Sequence, residues 1–393
     1  MKSRLIYLCV LLFSVSYGSF AAENQDSLKV SLLTCSPGQE VYSLYGHTAV
    51  RVQNIRTGED WVFNYGMFSF STPNFLMRFV KGETDYELGV MPFDYFTQEY
   101  KERGSFVRQQ VLNLSPKEAK TLAVLLAENY MPQNRVYRYN YFYDNCTTRA
   151  RDKIEESIEG KVLYPKFDET VSFRQIVHEY TKEHPWAEFG VDLCLGSQAD
   201  SPIDTRKQMF APFNMLQAAH IAKIKNLDGT ERPLIRVEEN IVQPANQNIE
   251  KEFPLSPMQV SVFLFVITLT LCLLQLKIKR IFWGIDLFWF ALQGLSGCII
   301  AFLFFFSEHP TVGSNYLIII LNPLPLFYLP RLLYCDFKHK KDHYHYVNIV
   351  VLTLFVLLWG VIPQKISPVV LPLASSLLVI SITHLVLENK IKK

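Results

Sequence analysis

The chain reads as an α+β exported domain followed by an all-α membrane domain of five helices. Three observations predict this. Residues 22–255 carry mixed charge, many aromatics and short, interrupted apolar runs, the pattern of a packed α+β unit. From Pro257 onward long apolar runs follow one another, each near the length that crosses roughly 30 Å of hydrocarbon. The first residues have the form of an export signal. Composition agrees: the 393 residues are 49% hydrophobic and only 19% charged, below the roughly one quarter of charged residues usual in soluble domains. Mean hydropathy is +0.10. A formal net charge of +2 excludes a protein that binds nucleic acid by bulk basicity. Seven cysteines in so long a chain exclude a disulfide-dense miniature scaffold.

The expected division is a signal peptide over 1–21, an exported domain over 22–255 and a membrane domain over 256–393. Lys2 and Arg4 form the charged region of the signal, 5–15 its apolar core, and Ser19-Phe20-Ala21 a small-x-small cleavage site. The apolar core is short for a span, which favours a cleaved signal over an anchor. Cys9 follows Leu8 rather than a small residue, against lipid modification of this chain itself.

In the exported domain, 28–33 reads as a strand and 38–45 as a short helix or turn. Residues 47–53 alternate as a strand, 54–60 supply a turn at Gly58, and 61–65 return as the next strand. Helices are expected over 73–81 and 92–103, and a strand over 105–112. Ser115-Pro116-Lys117-Glu118 has the form of a capping box with proline at the first helical position, opening a helix to about Tyr130. Residues 138–143 read as an aromatic-rich strand. Asp144-Asn145-Cys146 then opens a helix through Thr147, Thr148, Arg149 and Lys153. Later helices are expected over 171–181 and 208–223. The polar stretch 226–254 leads toward the membrane.

The five apolar runs are 258–276, 287–306, 316–334, 346–362 and 369–387. Lys277, Lys279 and Arg280 follow the first, Lys338, Lys340 and Lys341 the third, and Lys390, Lys392 and Lys393 the last. The loop 307–315 has no Lys or Arg, and 363–367 has only Lys365. Basic and non-basic loops alternate, so the basic ones are cytoplasmic and the 22–255 domain lies outside. Pro323, Pro325 and Pro330 kink or break the third run. Glu308, His309, Asn315 and Asn322 read either as interfacial polarity or as the lining of an outward cavity suited to a lipid.

Chemistry concentrates at Cys146. It follows two good N-cap residues, Asp144 and Asn145, and so falls in the first turn of a helix. The positive helix end there stabilises a thiolate, and first-turn N–H groups are positioned to bind an oxyanion. The base would be His47, at the start of a strand, with Asn64 on the paired strand orienting it. A buried structural cysteine and a satisfied strand histidine are the bland alternatives. His178, His184 and His220 read as structural or surface residues. Cys35 and Cys194 are the other exported cysteines; a disulfide between them would leave Cys146 odd and free. No HExxH, GxSxG, P-loop or zinc-ligand spacing is present, so neither a metal nor a cofactor is indicated.

The segments YGHTAVRV (45–52), WVFNYGMF (61–68), NFLMRFVKGE (74–83) and YFYDNCTTRARD (141–152), with SEHPTVGSN and LNPLP in the tail, resemble the Lnb-type bacterial lipoprotein N-acyltransferase family. The order of His before Cys is similar to the circularly permuted papain-like fold of the NlpC/P60 group. The resemblance implies that Cys146 is the nucleophile, His47 the base and Asn64 or a neighbour the orienting group. It implies substrate contacts from Tyr45, Tyr143, Asn145, Arg149, Glu308, His309 and Asn315. It further implies a phospholipid donor, a lipoprotein acceptor and a bacterial inner membrane with the thiol domain in the periplasm. The alternatives are a membrane-anchored cell-wall peptidase or amidase on the same thiol fold, and a non-enzymatic receptor without a reactive thiol.

Overall fold

The computed structural model describes residues 28–38, 40, 43–68, 73–245, 253–338, 340 and 342–391. The expected signal peptide, with Lys2, Arg4 and Cys9, lies outside the described residues, as do Lys341, Lys392 and Lys393. The exported domain runs β1 (Leu28–Cys35), β2 (His47–Asn54), β3 (Asp60–Met67), α1 (Phe75–Lys81), β4 (Asp85–Pro92), α2 (Phe93–Glu102), β5 (Val107–Leu112), α3 (Pro116–Tyr130), β6 (Val136–Arg138), α4 (Cys146–Ser157) and β7 (Lys161–Leu163). It continues with α5 (Phe173–Thr181), α6 (Pro185–Cys194), α7 (Thr205–Gln208), α8 (Pro212–Ile221), β8 (Lys223–Lys225), β9 (Glu231–Pro233) and β10 (Ile235–Val242). Seven strands form one antiparallel sheet in the order β10-β5-β1-β2-β3-β4-β6, and β7-β8-β9 form a small second sheet. An α+β exported domain followed by an all-α region is therefore the architecture observed.

The central strands are buried on both faces. Val30, Leu32 and Val50 meet Leu122 and Leu126 of α3 and Ile154 of α4 on one side. Leu33, Ala49 and Val62 meet Phe96 and Tyr100 of α2 on the other. This sandwiching by helices fixes the strand register, because a slip of one residue would exchange the two faces. The helix α3 starts where its capping box requires: Ser115 Oγ accepts from the Glu118 N–H, and Glu118 accepts in return from the Ser115 N–H.

Several expected elements differ. The strand expected over 138–143 ends at Arg138. Asn140 Oδ1 accepts the N–H groups of Phe142 and Tyr143, an Asx turn that competes with extended pairing. Phe142 instead joins a core with Phe173 and Phe210. The helix expected over 208–223 is divided, because Pro212 cannot continue a preceding helix and opens α8. The strand β4 lies ahead of α2, where no strand is expected. The stretch 226–254 also holds β9 and the edge strand β10. It reads as polar because an edge strand faces water; Glu238 and Glu239 accept from Gln110 and Gln109 of β5 at 2.6 and 2.5 Å.

The apolar region forms α9 (Pro257–Ile278), α10 (Trp283–Phe306), α11 (Leu324–Phe337), α12 (Tyr344–Leu357) and α13 (Val370–Ile391). Among the described residues, four segments are long and apolar enough to cross a membrane: Pro257–Ile278, Trp283–Phe306, Tyr316–Phe337 and Val370–Glu388. The fourth expected run, 346–362, is shorter as a helix: α12 has 14 residues, about 21 Å at 1.5 Å per residue, and turns cover 358–361. The third run is broken as its prolines require. A 3-10 segment, Tyr316–Ile319, is separated from α11 by 320–323.

Candidate active site

The site is built at the junction of β2, β3 and the first turn of α4. Asn145 makes that turn. Its backbone is extended, with φ −125° and ψ −174°, and its Oδ1 accepts from the N–H groups of Thr147 and Thr148, both at 2.9 Å. The Thr148 hydroxyl accepts from the Asn145 N–H at 2.8 Å. The Asn145 amide nitrogen donates to the carbonyls of Tyr141 and Phe210 at 2.9 and 3.0 Å. Every polar group of Asn145 thus holds the start of α4 in place, which sets Cys146 at the first helical position.

A second pin positions the histidine. The buried hydroxyls of Thr48 and Thr147 are 3.0 Å apart, tying the first turn of α4 to β2. His47 is the residue before Thr48, so this bond places its ring beside the thiol. The His47 Nε2–H donates to Asn64 Oδ1 on β3 at 2.5 Å. Nδ1 is then the ring nitrogen left to face sulfur. Gly66 closes the arrangement. Its φ is +94°, and a Cβ there would lie 3.8 Å from Cys146 Cβ and 4.0 Å from His47 Cε1. Only glycine takes that backbone without strain, and only glycine leaves the space over both side chains open.

The electrostatics follow from the pair. Burial acts against both charges, pushing the Cys146 thiol up and the His47 imidazole down. Their mutual attraction and hydrogen bond outweigh burial, and the Thr48 N–H and Thr147 hydroxyl further favour the thiolate. The Cys146 thiol is held below its ordinary 9.0 and His47 above its ordinary 6.5, the direction expected for a thiolate–imidazolium pair at a helix N-terminus. Cys35 and Cys194 are free thiols as well, unjoined to each other, and burial raises both.

The oxyanion donors differ from expectation. Asn145 consumes the N–H groups of Thr147 and Thr148, and the Arg149 N–H donates to the Asn145 carbonyl. Among the described residues, the Cys146 N–H is the one first-turn donor with no acceptor set against it.

The other named residues fall into two groups. On the exported domain, Arg149 of α4 is held bidentately by Asp144 at 2.6 and 2.7 Å and lies 3.7 Å above the Tyr137 ring. Tyr45 packs against Tyr141 and Tyr180, while Tyr143 is half exposed against Phe173. Glu308, His309 and Asn315 sit instead at the seam between the exported domain and the apolar helices. Glu308 meets Arg138 at 3.4 Å. The His309 Nε2–H donates to the Phe79 carbonyl at 2.6 Å. Buried Asn315 donates to the Leu193 carbonyl at 2.7 Å and accepts from Gln364 at 3.1 Å. Residues not singled out in advance are Thr48, Thr147 and Gly66; a glycine inside an alternating strand, as in FNYGMF, is the signal for the last, since it marks a bulge.

One group of described residues has the composition of a metal site. Single ligand atoms of Asp336, His345 and His384 lie within 4.8 Å of one another. The two imidazoles are stacked, 4.0 Å between centroids and 14° from parallel. Lone pairs lie in the ring planes, so here they run side by side rather than converge on one ion.

A family model described as the Lnb N-terminal periplasmic domain matches residues 20–182, and one described as the Lnb transmembrane domain matches residues 248–392. No curated protein and no solved structure matches the chain.

Proposed function

We propose, on the premise that the chain belongs to the Lnb family and is a multi-pass membrane protein with a periplasmic domain, that it is a lipoprotein N-acyltransferase of the bacterial inner membrane. The observation that carries this is the Cys146–His47–Asn64 constellation, a thiol of lowered pKa beside an oriented imidazole, on a domain joined to apolar helices. The thiolate attacks the carbonyl of a phospholipid ester. The Cys146 N–H receives the developing oxyanion. The His47 imidazolium gives its proton to the departing lysophospholipid oxygen, leaving a thioester on Cys146. The α-amino group of a diacylglyceryl-cysteine at a lipoprotein N-terminus then attacks the thioester. His47 takes a proton from that nitrogen, the C–S bond breaks, and the products are an amide and a regenerated thiol. Donor and acceptor both reside in the bilayer, which accounts for a thiol domain carried on several spans rather than one.

The test is mass spectrometry of a lipoprotein N-terminus from cells whose sole copy of this enzyme is Cys146→Ser. Diacylated lipoprotein is the expected product, and triacylated lipoprotein in that strain overturns the reading. Release of muropeptides by the wild-type protein, with no effect on lipoprotein acylation, would indicate a cell-wall hydrolase instead.

A further inference from the structure

The helix α1 buries none of its residues. Leu76, Met77 and Phe79 are 75%, 55% and 44% exposed, an apolar face left largely open among the described residues. What fixes α1 is the outer end of α10. The Ser307 hydroxyl donates to the Val80 carbonyl at 2.8 Å, the Glu308 N–H to the Lys81 carbonyl at 2.7 Å and His309 to the Phe79 carbonyl. The fit is close: Gly82, at φ +76°, would place a Cβ 2.9 Å from the His309 nitrogen. The helix therefore stands where the α10 span leaves the hydrocarbon, with its apolar side chains uncovered.

From α1 a continuous file of rings leads inward. His309 and Phe79 have centroids 5.7 Å apart, Phe79 and Phe75 6.1 Å, and Phe75 and Phe68 5.8 Å. Phe68 stacks on Tyr86 at 4.9 Å, and Tyr86 on Tyr139 at 4.2 Å. Phe68, Tyr139 and Cys146 pack against the same core. The thiolate is near enough to Tyr139 that its charge adds to burial in raising that hydroxyl.

We propose that α1 is inserted into the outer leaflet and that this file of rings is the binding track along which the acyl chain of a membrane phospholipid reaches Cys146. The proposal rests on the acyltransfer reading for its purpose. The occupant follows from continuity: the apolar phase beside the exposed face of α1 is the one α10 has just left, and a hydrocarbon chain is what that phase supplies. Aromatic faces suit an alkyl chain, since they offer broad dispersion contact without polar groups to desolvate.

The test uses the full-length protein in phosphatidylethanolamine–phosphatidylglycerol vesicles and measures alkylation of Cys146 by N-ethylmaleimide and N-dodecylmaleimide, read by peptide mass spectrometry. In the wild type the dodecyl-to-ethyl rate ratio should exceed that of Cys194 by about tenfold or more, since every methylene buried on the track favours the longer probe. Leu76→Ser combined with Phe79→Ser should lower the ratio at Cys146 severalfold while probe partition into the vesicles is unchanged. Melting temperature reports folding; if that variant melts early, Met77→Ser on the same exposed face carries the same expectation. A Cys146 ratio equal to that of Cys194, or one unmoved in folded α1 variants, overturns the proposal. Alkylation does not require acyl transfer. A normal ratio in a protein that leaves lipoproteins diacylated would therefore sink the function and leave the track standing.

Discussion

Asn64 Oδ1 accepts the His47 Nε2–H at 2.5 Å, and Asn64 itself is buried with its amide nitrogen directed at Met67 sulfur, 3.5 Å away. The amide therefore has one orientation, and so has the imidazole. Replacing Asn64 by Ala removes a hydrogen bond to a group that carries charge during turnover, a loss of about 1.5–3 kcal/mol, or on the order of 10- to 10²-fold in kcat. Asn64→Asp keeps an acceptor and adds a negative charge, so activity should be partly restored and the alkaline limb of the pH profile should move upward. Steady-state kinetics of both variants across pH checks this. An Asn64→Ala enzyme at full activity would remove the orienting role.

Cys146 and His47 make a pH prediction with a definite sign. The thiol titrates below 9.0 because of the imidazolium, so alkylation of Cys146 should rise with pH and level off below 9.0. Turnover should fall again as pH passes the raised pKa of His47, above 6.5, because the leaving group then lacks its acid. His47→Ala removes the charge that lowers the thiol while burial remains. Its alkylation profile should shift to alkaline pH, and acyl transfer should fall by on the order of 10²–10⁴-fold. An unshifted profile would mean that the helix end and the Thr48 N–H alone set the thiol.

Gly66→Ala is expected to be more costly than an alanine on a strand usually is. The residue would need φ near +94°, a strain of about 1–2 kcal/mol. Its methyl would also rest against both Cys146 and His47, on the side from which the proposed acyl donor approaches. Melting temperature should drop modestly while alkylation by a bulky maleimide slows much more than by iodoacetamide. Equal slowing of both reagents would point to strain alone.

Arg174 is a stability test remote from the thiol. It is 1% exposed, meets Asp192 at 2.7 Å and Asp200 at 2.8 Å, and donates to the Leu195 carbonyl. Arg174→Met would leave buried Asp200 without its cation and Asp192 with His178 alone, at about 3–5 kcal/mol, or roughly 6–20 °C in Tm for a domain of this size. Because Asp200 also accepts from the Lys365 N–H at 3.0 Å, the loss should loosen the seam with the apolar helices, and limited proteolysis near 363–367 would detect it.

Much of this was legible because it is written locally. The N-cap at Asn145, the capping box at Ser115 and four of the five apolar runs each depend on a few adjacent residues, and each lies where its chemistry demands. The proximity of His47 and Asn64 could be anticipated because a single hairpin turn joins their strands. What could not be read is set by partners far along the chain. The aromatics of 138–143 suit a strand by propensity, yet the Asn140 turn and the Phe173–Phe210 core decide otherwise. The fate of the first-turn N–H groups depends on which way the Asn145 amide points, information absent from residue order. Glu308, His309 and Asn315 stand out as polar beside apolar runs, but their partners Phe79, Arg138 and Leu193 lie more than a hundred residues away.

The sheet has a temporal consequence. Its edge strand β10 is the last of its strands in the sequence and pairs with β5, itself beside β1, the first. A chain emerging from the amino end can assemble β1 to β6 and seat α4 on them, yet the β5 edge stays bare until Val242 has cleared the export channel. The first apolar helix opens at Pro257, only a short tether later. Completion of the periplasmic domain is thereby timed to the arrival of its own anchor, and a secreted fragment cut before 242 would leave with an unsatisfied edge, ready to pair with another copy.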